Sequence, residues 1–372
     1  MKRSKILAGA VVVVMLFTGC GGKKSQAPEP YQDLFTGGSF DENMVWSTED
    51  ERYSDLISRL SEKCELVFEG SLMVATDDQI IFAGGWNSTE TDGETRVNPF
   101  TTYEIASITK QFTAACILQQ VQEGNIRTDE TIDKYFPEFP YGSQITVDHL
   151  LHMDSGIVDY ANEWAAFFEN ESQFESYNKG EMTDETLLSF LNKSSLKFEP
   201  GERFSYSNTN YYLLALILEQ VTGMTYEEYM KQNIFEVCGM QNSTNTEVGN
   251  ITSVPANGGE YIPTARCFRG TGDIHSNVCD MLLWDRALMS NQIINSEQLQ
   301  YMREMRNDYS CGWMPRKSGG IEHGGTSWSY ETRNTVLQAE DIGNVYVIMM
   351  TPNPQKYNTF DYIISMVEKY FE

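Results

Sequence analysis

The chain has 372 residues, of which 41% are hydrophobic and 12% aromatic, so it can build a packed core, and wholesale disorder is excluded. Its formal net charge is −26. A surface this acidic repels nucleic acid and anionic lipid headgroups, so we expect no nucleic-acid partner. The charge itself indicates solubility rather than a particular substrate.

The first residues predict a bacterial lipoprotein signal over 1–19. Three basic residues within the first five positions precede an uncharged apolar run over 6–17, which is too short to cross a bilayer comfortably. The run ends in Leu-Phe-Thr-Gly-Cys, which resembles a lipoprotein cleavage site, with cleavage before Cys20 and lipid on its thiol. An ordinary secretory signal or an uncleaved anchor is the alternative. We expect an extracytoplasmic protein, anchored to the bacterial cell membrane through this lipid only.

Residues 20–45 follow with the Gly, Lys, Ser and Pro content of a linker and predict a flexible tether, with order beginning near Trp46. The predicted elements beyond it run in the order helix, strands, a long helical stretch, strands and helix. These are helices over 54–63, from Ser107 onward, and over 146–153, 183–191, 211–222, 226–234, 278–289 and 360–370, with strands over 70–76, 79–84, 334–338 and 344–350.

This order predicts an α/β fold over residues 46–372, in which an antiparallel sheet is flanked by helices from both chain ends. A mostly helical subdomain, roughly residues 125–265, is inserted between the two halves. Clefts form between such halves, and Ser107 falls at the junction.

Ser107 and Lys110 are the first chemical candidates. A hydroxyl and an amine three residues apart lie on one face of a helix, where the lysine can help to remove the serine proton. The same Ser-x-x-Lys spelling occurs at Ser176 and at Ser194, so the pattern alone does not select a nucleophile.

Two further motifs distinguish the Ser-x-x-Lys motif at Ser107 from those at Ser176 and Ser194. Tyr206 and Asn208 lie two residues apart in a loop before an apolar helix, where a phenol can shuttle a proton and an amide can orient the lysine or bind a carbonyl. The second motif is His323-Gly324-Gly325. Its small residues let a substrate lie along a strand edge, and the histidine adds a donor to the pocket.

Together these motifs resemble the serine β-lactamase and penicillin-binding-protein superfamily, in the branch that holds class C β-lactamases, D,D-carboxypeptidases, D-aminopeptidases and related esterases. Other ordered segments extend the resemblance across residues 50–370. They are Leu150-Leu151-His152-Met153-Asp154-Ser155-Gly156, the glycine-rich turn over 270–276, and Tyr309-Ser310-Cys311-Gly312-Trp313, which is similar to a family strand.

The resemblance implies a secreted serine hydrolase whose Ser107 forms an acyl-enzyme with an amide, ester or lactam. Lys110 or Tyr206 would be the general base, and Tyr206 the proton donor to the leaving group. Asn208, His323 and Gly325 would bind the substrate, and the backbone N–H groups of Ser107 and Thr326 would form the oxyanion hole. We expect a small-molecule or peptide-like acyl substrate, with cell-wall fragments among the candidates.

The chain departs from the family pattern at positions that line or support the cleft in relatives. Met153 and Asp154 stand where histidine and threonine are usual, His152 is shifted by one position, Asp273 replaces a glycine, and Ser329 replaces another. These departures bear on the substrate class and leave the three motifs intact.

Three alternative functions remain open. One is an esterase on the same fold, and another is a non-catalytic binding lipoprotein. The third is a metalloenzyme built on His149 and His152, although the six cysteines beyond Cys20 show no zinc-type spacing and no carboxylate lies at a familiar ligand spacing. We expect no metal and no cofactor.

Overall fold

The computed structural model describes residues 26–163, 170–172, 183–245, 251–252, 268–327, 329–353 and 357–372. The predicted signal over 1–19, the lipidation site Cys20 and the Ser176 spelling lie outside the described residues. Within these ranges, no helix combines the length and the apolar character that a membrane span requires.

An eight-stranded antiparallel sheet organises the described chain, in the order β1-β2-β4-β3-β10-β9-β8-β7, with β5 and β6 paired separately. The strands are β1 Gly38–Phe40, β2 Trp46–Thr48, β3 Gly70–Thr76, β4 Ile80–Trp86, β5 Tyr103–Glu104, β6 His275–Ser276, β7 Met314–Pro315, β8 Ile321–Thr326, β9 Glu331–Ala339 and β10 Gly343–Thr351. At its centre Val74 of β3 pairs with Val347 of β10, so the sheet joins the two ends of the chain. The predicted fold class is confirmed.

The helices cover both faces of this sheet. They are α1 Ser54–Val67, α2 Thr109–Gln122, α3 Val147–Leu151, α4 Asp184–Leu191, α5 Asn208–Thr222, α6 Tyr226–Met230, α7 Glu236–Cys238, α8 Val278–Met289, α9 Ser296–Arg303 and α10 Tyr357–Phe371. A π-helical turn over Lys231–Phe235 joins α6 to α7.

Two apolar cores follow from the alternation of side chains along the central strands. Leu72 and Val74 of β3 pack with α1 and α10 on one face of the sheet. Met73 and Ala75 point to the other face and pack with α2, α5 and α8. Because both faces are covered, the central strands β3 and β10 have apolar side chains on both faces rather than at every second position.

The tether predicted over 20–45 is wrong for residues 26–45, which belong to the folded body. Tyr31 is 1% exposed, and its hydroxyl donates to Asp280 Oδ1 at 2.7 Å. β1 pairs with β2 through Phe40 and Trp46. The linker composition misleads because the aromatic side chains between its glycines find partners far along the chain.

Several predicted element boundaries move in the structure. The helix expected from Ser107 begins with a 3-10 turn over Ala106–Ile108, and α2 starts at Thr109. The strand expected by resemblance over 309–313 is a turn instead, because Cys311 and Gly312 have φ values of 47° and 86°, which extended backbone does not allow. The helix α9 was not predicted.

Candidate active site

The backbone around Ser107 forms a sharp turn between β5 and α2. Ala106 has a φ of 45°, a left-handed conformation that is uncommon for a residue with a Cβ atom. The chain then enters the 3-10 turn over Ala106–Ile108 and the helix that follows. Ser107 therefore lies at the amino end of α2, where the helix dipole favours negative charge.

The Lys110 ammonium group is buried and has three acceptors. Nζ lies 3.0 Å from Ser107 Oγ, 2.8 Å from Asn208 Oδ1 and 2.7 Å from the carbonyl oxygen of Thr271. Burial lowers the pKa of Lys110 to about 7, although the negative charges of Asp159 and Asp273 act in the opposite direction. The amine is therefore available in its neutral form near neutral pH.

Tyr206 completes the contacts of the serine. Its hydroxyl donates to Ser107 Oγ at 2.8 Å, and Lys110 Nζ lies 5.0 Å from the centre of its ring. Burial raises the pKa of the Tyr206 phenol well above its usual value. Asn208 is the first residue of α5, three residues earlier than the sequence predicted, and the extended Ser207 between them directs both side chains to Ser107 and Lys110.

His323 lies beside this group in a neutral form. Its Nδ1 lies 2.7 Å from the carbonyl oxygen of Gly324, and because a carbonyl only accepts, Nδ1 carries the proton. Burial, together with the nearby Lys110, lowers the pKa of His323 to about 3. Nε2 is consequently an acceptor, so the ring does not supply the donor that the sequence analysis expected.

The strand β8 packs directly against the turn that carries the serine. A Cβ atom on Gly325 would lie 2.1 Å from the carbonyl oxygen of Ile105, so only glycine fits there. Thr332 of β9 donates to the same carbonyl at 3.0 Å. Thr326 ends β8, next to this contact. Its part in an oxyanion hole, and substrate binding by Gly325, stay predictions.

Two residues that the sequence analysis did not select belong to this group. Thr271 supplies a backbone carbonyl to Lys110, and Asp159 binds the amide of Asn208 with both carboxylate oxygens, at 3.2 and 3.1 Å. Every residue has a backbone carbonyl, so the residue type at position 271 could not predict this contact. Asp159 follows three residues after the family-like segment that ends at Gly156, and that proximity was the only available signal.

The second Ser-x-x-Lys motif that the structure describes, at Ser194, has different partners. Ser194 Oγ donates to the carbonyl of Phe190 at 3.1 Å, and Lys197 Nζ contacts Glu163 at 2.6 Å, so this serine and lysine do not meet. His149 accepts the Thr146 N–H at the start of α3. In the described part of the chain, no group of three or more His, Cys, Asp or Glu side chains is arranged to hold a metal.

A family model described as Beta-lactamase matches residues 67–362, and the chain belongs to the beta-lactamase family. PbpX of Bacillus subtilis (strain 168), which its name places among the penicillin-binding proteins, is 26% identical over 320 residues, covering 81% of this chain and 78% of that protein. A second penicillin-binding protein of that strain is 28% identical over 310 residues, covering 74% of this chain and 66% of the relative.

Solved structures show the same fold. The D-amino acid amidase from Ochrobactrum anthropi SV3 superposes with a TM-score of 0.68 at 19% sequence identity, covering 85% of this chain and 99% of the amidase. At this identity the likeness concerns the fold. The family and these relatives support assignment of the protein to the hydrolases.

Proposed function

We propose that this protein is a serine hydrolase that forms an acyl-enzyme on Ser107 with an amide, ester or lactam substrate. The observation that carries the proposal is the convergence of Lys110 Nζ and the Tyr206 hydroxyl on one oxygen, Ser107 Oγ, at 3.0 and 2.8 Å. A nucleophile needs a base within hydrogen-bond reach, and a leaving group needs a proton donor. Lys110 and Tyr206 lie within that distance of Ser107 Oγ and can fill these two roles.

Lys110 is the better candidate for the general base. A neutral amine has two N–H bonds and one lone pair. Asn208 Oδ1 and the backbone carbonyl oxygen of Thr271 can only accept hydrogen bonds, so they take the two N–H bonds of the amine. The lone pair then faces Ser107 Oγ. Because the pKa of Lys110 is lowered to about 7, this neutral form is well populated at neutral pH.

Tyr206 is then the proton donor. Its raised pKa keeps the phenol protonated, and its hydrogen already points at Ser107 Oγ. In the proposed acylation, the Ser107 proton moves to Lys110 while Oγ bonds to the substrate carbonyl carbon. As the bond to the leaving atom breaks, Tyr206 supplies that atom with a proton, and the proton held on Lys110 restores the phenol. Charge on the former carbonyl oxygen would be stabilised by the Ser107 and Thr326 N–H groups.

Covalent labelling tests the nucleophile. We expect Ser107→Ala to abolish labelling by a fluorescent penicillin and by a fluorophosphonate, because the acylated oxygen is gone. Ser194→Ala is the matched control, since it removes the hydroxyl of the other described Ser-x-x-Lys spelling, and it should label like the wild type. Labelling of Ser107→Ala at the wild-type level would refute the assignment. A wild type that no probe acylates would favour the non-catalytic binding lipoprotein.

The neutral imidazole of His323 favours substrates without a free carboxylate at that position. Enzymes of this superfamily with a K-T-G motif place a lysine there, whereas His323 contributes no positive charge at neutral pH. We expect p-nitrophenyl esters and amides to be turned over faster than peptides ending in D-Ala-D-Ala, with nitrocefin as the lactam in the same panel. Faster turnover of the D-Ala-D-Ala peptides would contradict this preference.

We also propose that the mature protein is held at the outer face of the cell membrane by lipid on Cys20. The support is the sequence of residues 1–20 alone: a basic start, a short apolar run and a cysteine after small residues.

A further inference from the structure

A buried carboxylate lies behind the lysine of the proposed site. Asp159 is 2% exposed, and its two oxygens accept hydrogen bonds from Asn208 Nδ2 at 3.2 and 3.1 Å. Oδ2 also accepts from Asn162 Nδ2 at 2.7 Å, and Oδ1 accepts from the Ala161 N–H at 2.9 Å. This side chain contacts neither Ser107 nor Lys110, and the mechanism derived above does not use it.

The carboxylate determines which way the Asn208 amide faces. The two ends of an asparagine amide have nearly the same shape but opposite hydrogen-bonding character. Because Asp159 only accepts, it binds the Nδ2 end, and Oδ1 is left facing Lys110 Nζ at 2.8 Å. The opposite orientation would place a donor against Lys110 and an oxygen against the carboxylate, so both buried hydrogen bonds to Asp159 would be lost.

The orientation of this amide in turn determines the direction of the lysine lone pair. Oδ1 of Asn208 is one of the two oxygens that take the N–H bonds of neutral Lys110. If a donor stood there instead, the amine would turn its lone pair to Asn208 and an N–H to Ser107. A base that presents an N–H to the serine cannot take its proton.

Resting on the proposed function, we propose that Asp159 is a positioning residue, which holds the Asn208 amide with its oxygen toward Lys110 and thereby aims the lone pair of Lys110 at Ser107. The relay runs through Asp159, Asn208, Lys110 and Ser107 by successive hydrogen bonds of 3.1, 2.8 and 3.0 Å.

The charge of Asp159 has a second effect that makes the role measurable. It raises the pKa of Lys110 against the larger lowering caused by burial, and Asp273 acts in the same direction. Among the residues that the structure describes, Tyr206, whose pKa is raised, and His323, whose pKa is lowered to about 3, also lie beside Lys110. Removing the charge at position 159 while keeping the side-chain shape therefore lowers the pKa of Lys110.

The test is Asp159→Asn, with acylation by a fluorescent penicillin or a p-nitrophenyl ester followed across pH. An asparagine offers one accepting oxygen in place of two, and its own Nδ2 opposes that of Asn208. We expect the maximal acylation rate to fall by about 10- to 100-fold through misdirection of Lys110. The acid limb of the rate profile should move to lower pH, because a lysine of lower pKa stays neutral in more acidic solution.

Asn162→Ala is the matched control, because it removes another amide donor from the same carboxylate and leaves the hydrogen bonds between Asp159 and Asn208 in place. It should leave the rate within about twofold and the pH profile unmoved. In an Asn208→Ala background, Asp159→Asn should lower the maximal rate by less than about threefold, since the relay is already broken. If Asp159→Asn lowers the maximal acylation rate by the same factor with and without Asn208→Ala, or if the acid limb does not move, the Asp159 carboxylate has only a structural role.

A crystal structure of Asp159→Asn separates this inference from the proposed function, because it needs no turnover. We expect the Asn208 amide to rotate or Lys110 Nζ to leave its oxygen. Unchanged contacts of Asn208 in the variant would overturn the positioning role even if Ser107 is the nucleophile. If Ser107→Ala still labels like the wild type, the proposed function fails, whatever the amide does.

Discussion

The protonation state of Lys110 is the quantity on which the proposed chemistry depends at the residue scale. Its amine can accept the Ser107 proton only when neutral, and burial lowers its pKa to about 7. Below that pH the ammonium form holds all three acceptors and has no lone pair to offer. Because the buried site keeps water away from the lysine, a neutral amine that can act as a base is present near neutral pH.

We therefore expect the acylation rate to rise with pH through an apparent pKa near 7 and to fall about tenfold for each unit below it. The rise reports deprotonation of Lys110, because the phenol of Tyr206 stays protonated throughout this range. Single-turnover acylation measured from pH 5 to pH 9 tests this. A rate that is flat across pH 6 to 8 would argue against Lys110 as the base.

At the same scale, the sequence predicted residue types better than it predicted their states. Ser107, Lys110, Tyr206 and Asn208 are brought together as expected, because short motifs report residues whose chemistry is specific. Their partners were harder to foresee: Asp159 is a single acid in a loop, and its importance lies in a contact with a residue far along the chain. The proton position on His323 depends on a backbone carbonyl, which the motif does not encode.

At the scale of elements, the contact between β8 and the turn before α2 controls the geometry of the site. Gly324 and Gly325 are neighbours in β8, yet their surroundings differ. A Cβ atom on Gly325 would lie 2.1 Å from the carbonyl oxygen of Ile105, whereas one on Gly324 would lie 3.4 Å from Arg333 Nε. Only the first position demands glycine.

Gly325→Ala should accordingly push β8 away from the turn that carries Ser107. We expect a loss of about 1–3 kcal/mol in the free energy of unfolding and an acylation rate at least about tenfold lower. Gly324→Ala is the control in the same strand and should stay close to the wild type in both. Urea unfolding and covalent labelling provide the two measurements, and equal effects of the two substitutions would refute the explanation.

Element boundaries were predicted less well than element types. The apolar spacing located α2, α5 and α8, because long amphipathic or apolar runs carry the strongest pattern. Polar residues at the start of a helix lack this apolar spacing. The predicted start at Tyr211 was therefore three residues late, since α5 begins at Asn208. The turn over 309–313 was misread because nothing in residue type alone reports the positive φ of Cys311.

At the scale of the whole molecule, the folded body begins closer to the proposed lipid site than the sequence suggested. Ala27 is already buried, and the Tyr31 hydroxyl donates to Asp280. Six residues lie between Cys20 and Ala27, and even a fully extended chain spans no more than about 25 Å over those seven steps. Lipid on Cys20 would therefore hold the body close to the bilayer surface.

Cys20→Ala should release the protein from the membrane fraction of the producing cell, because a single residue carries the proposed anchor. Feeding a clickable fatty acid should label the wild type and not the variant. Ser25→Ala, in the same short segment, is the control and should stay in the membrane fraction. Membrane retention of Cys20→Ala without lipid label would favour an uncleaved anchor.

The pairing of β3 with β10 has a consequence for biogenesis. β3 is synthesised early, but its partner strand β10, in which Val347 pairs with Val74, is made only after helices α2 to α9. Until then β3 has one unpaired apolar edge, and the topology has the high contact order that slows folding and prolongs exposure to proteases and aggregation. A chain interrupted before β10 would contain Ser107, Lys110 and Tyr206 but no continuous sheet to hold them. Activity would therefore appear only in molecules whose synthesis has passed the last strand.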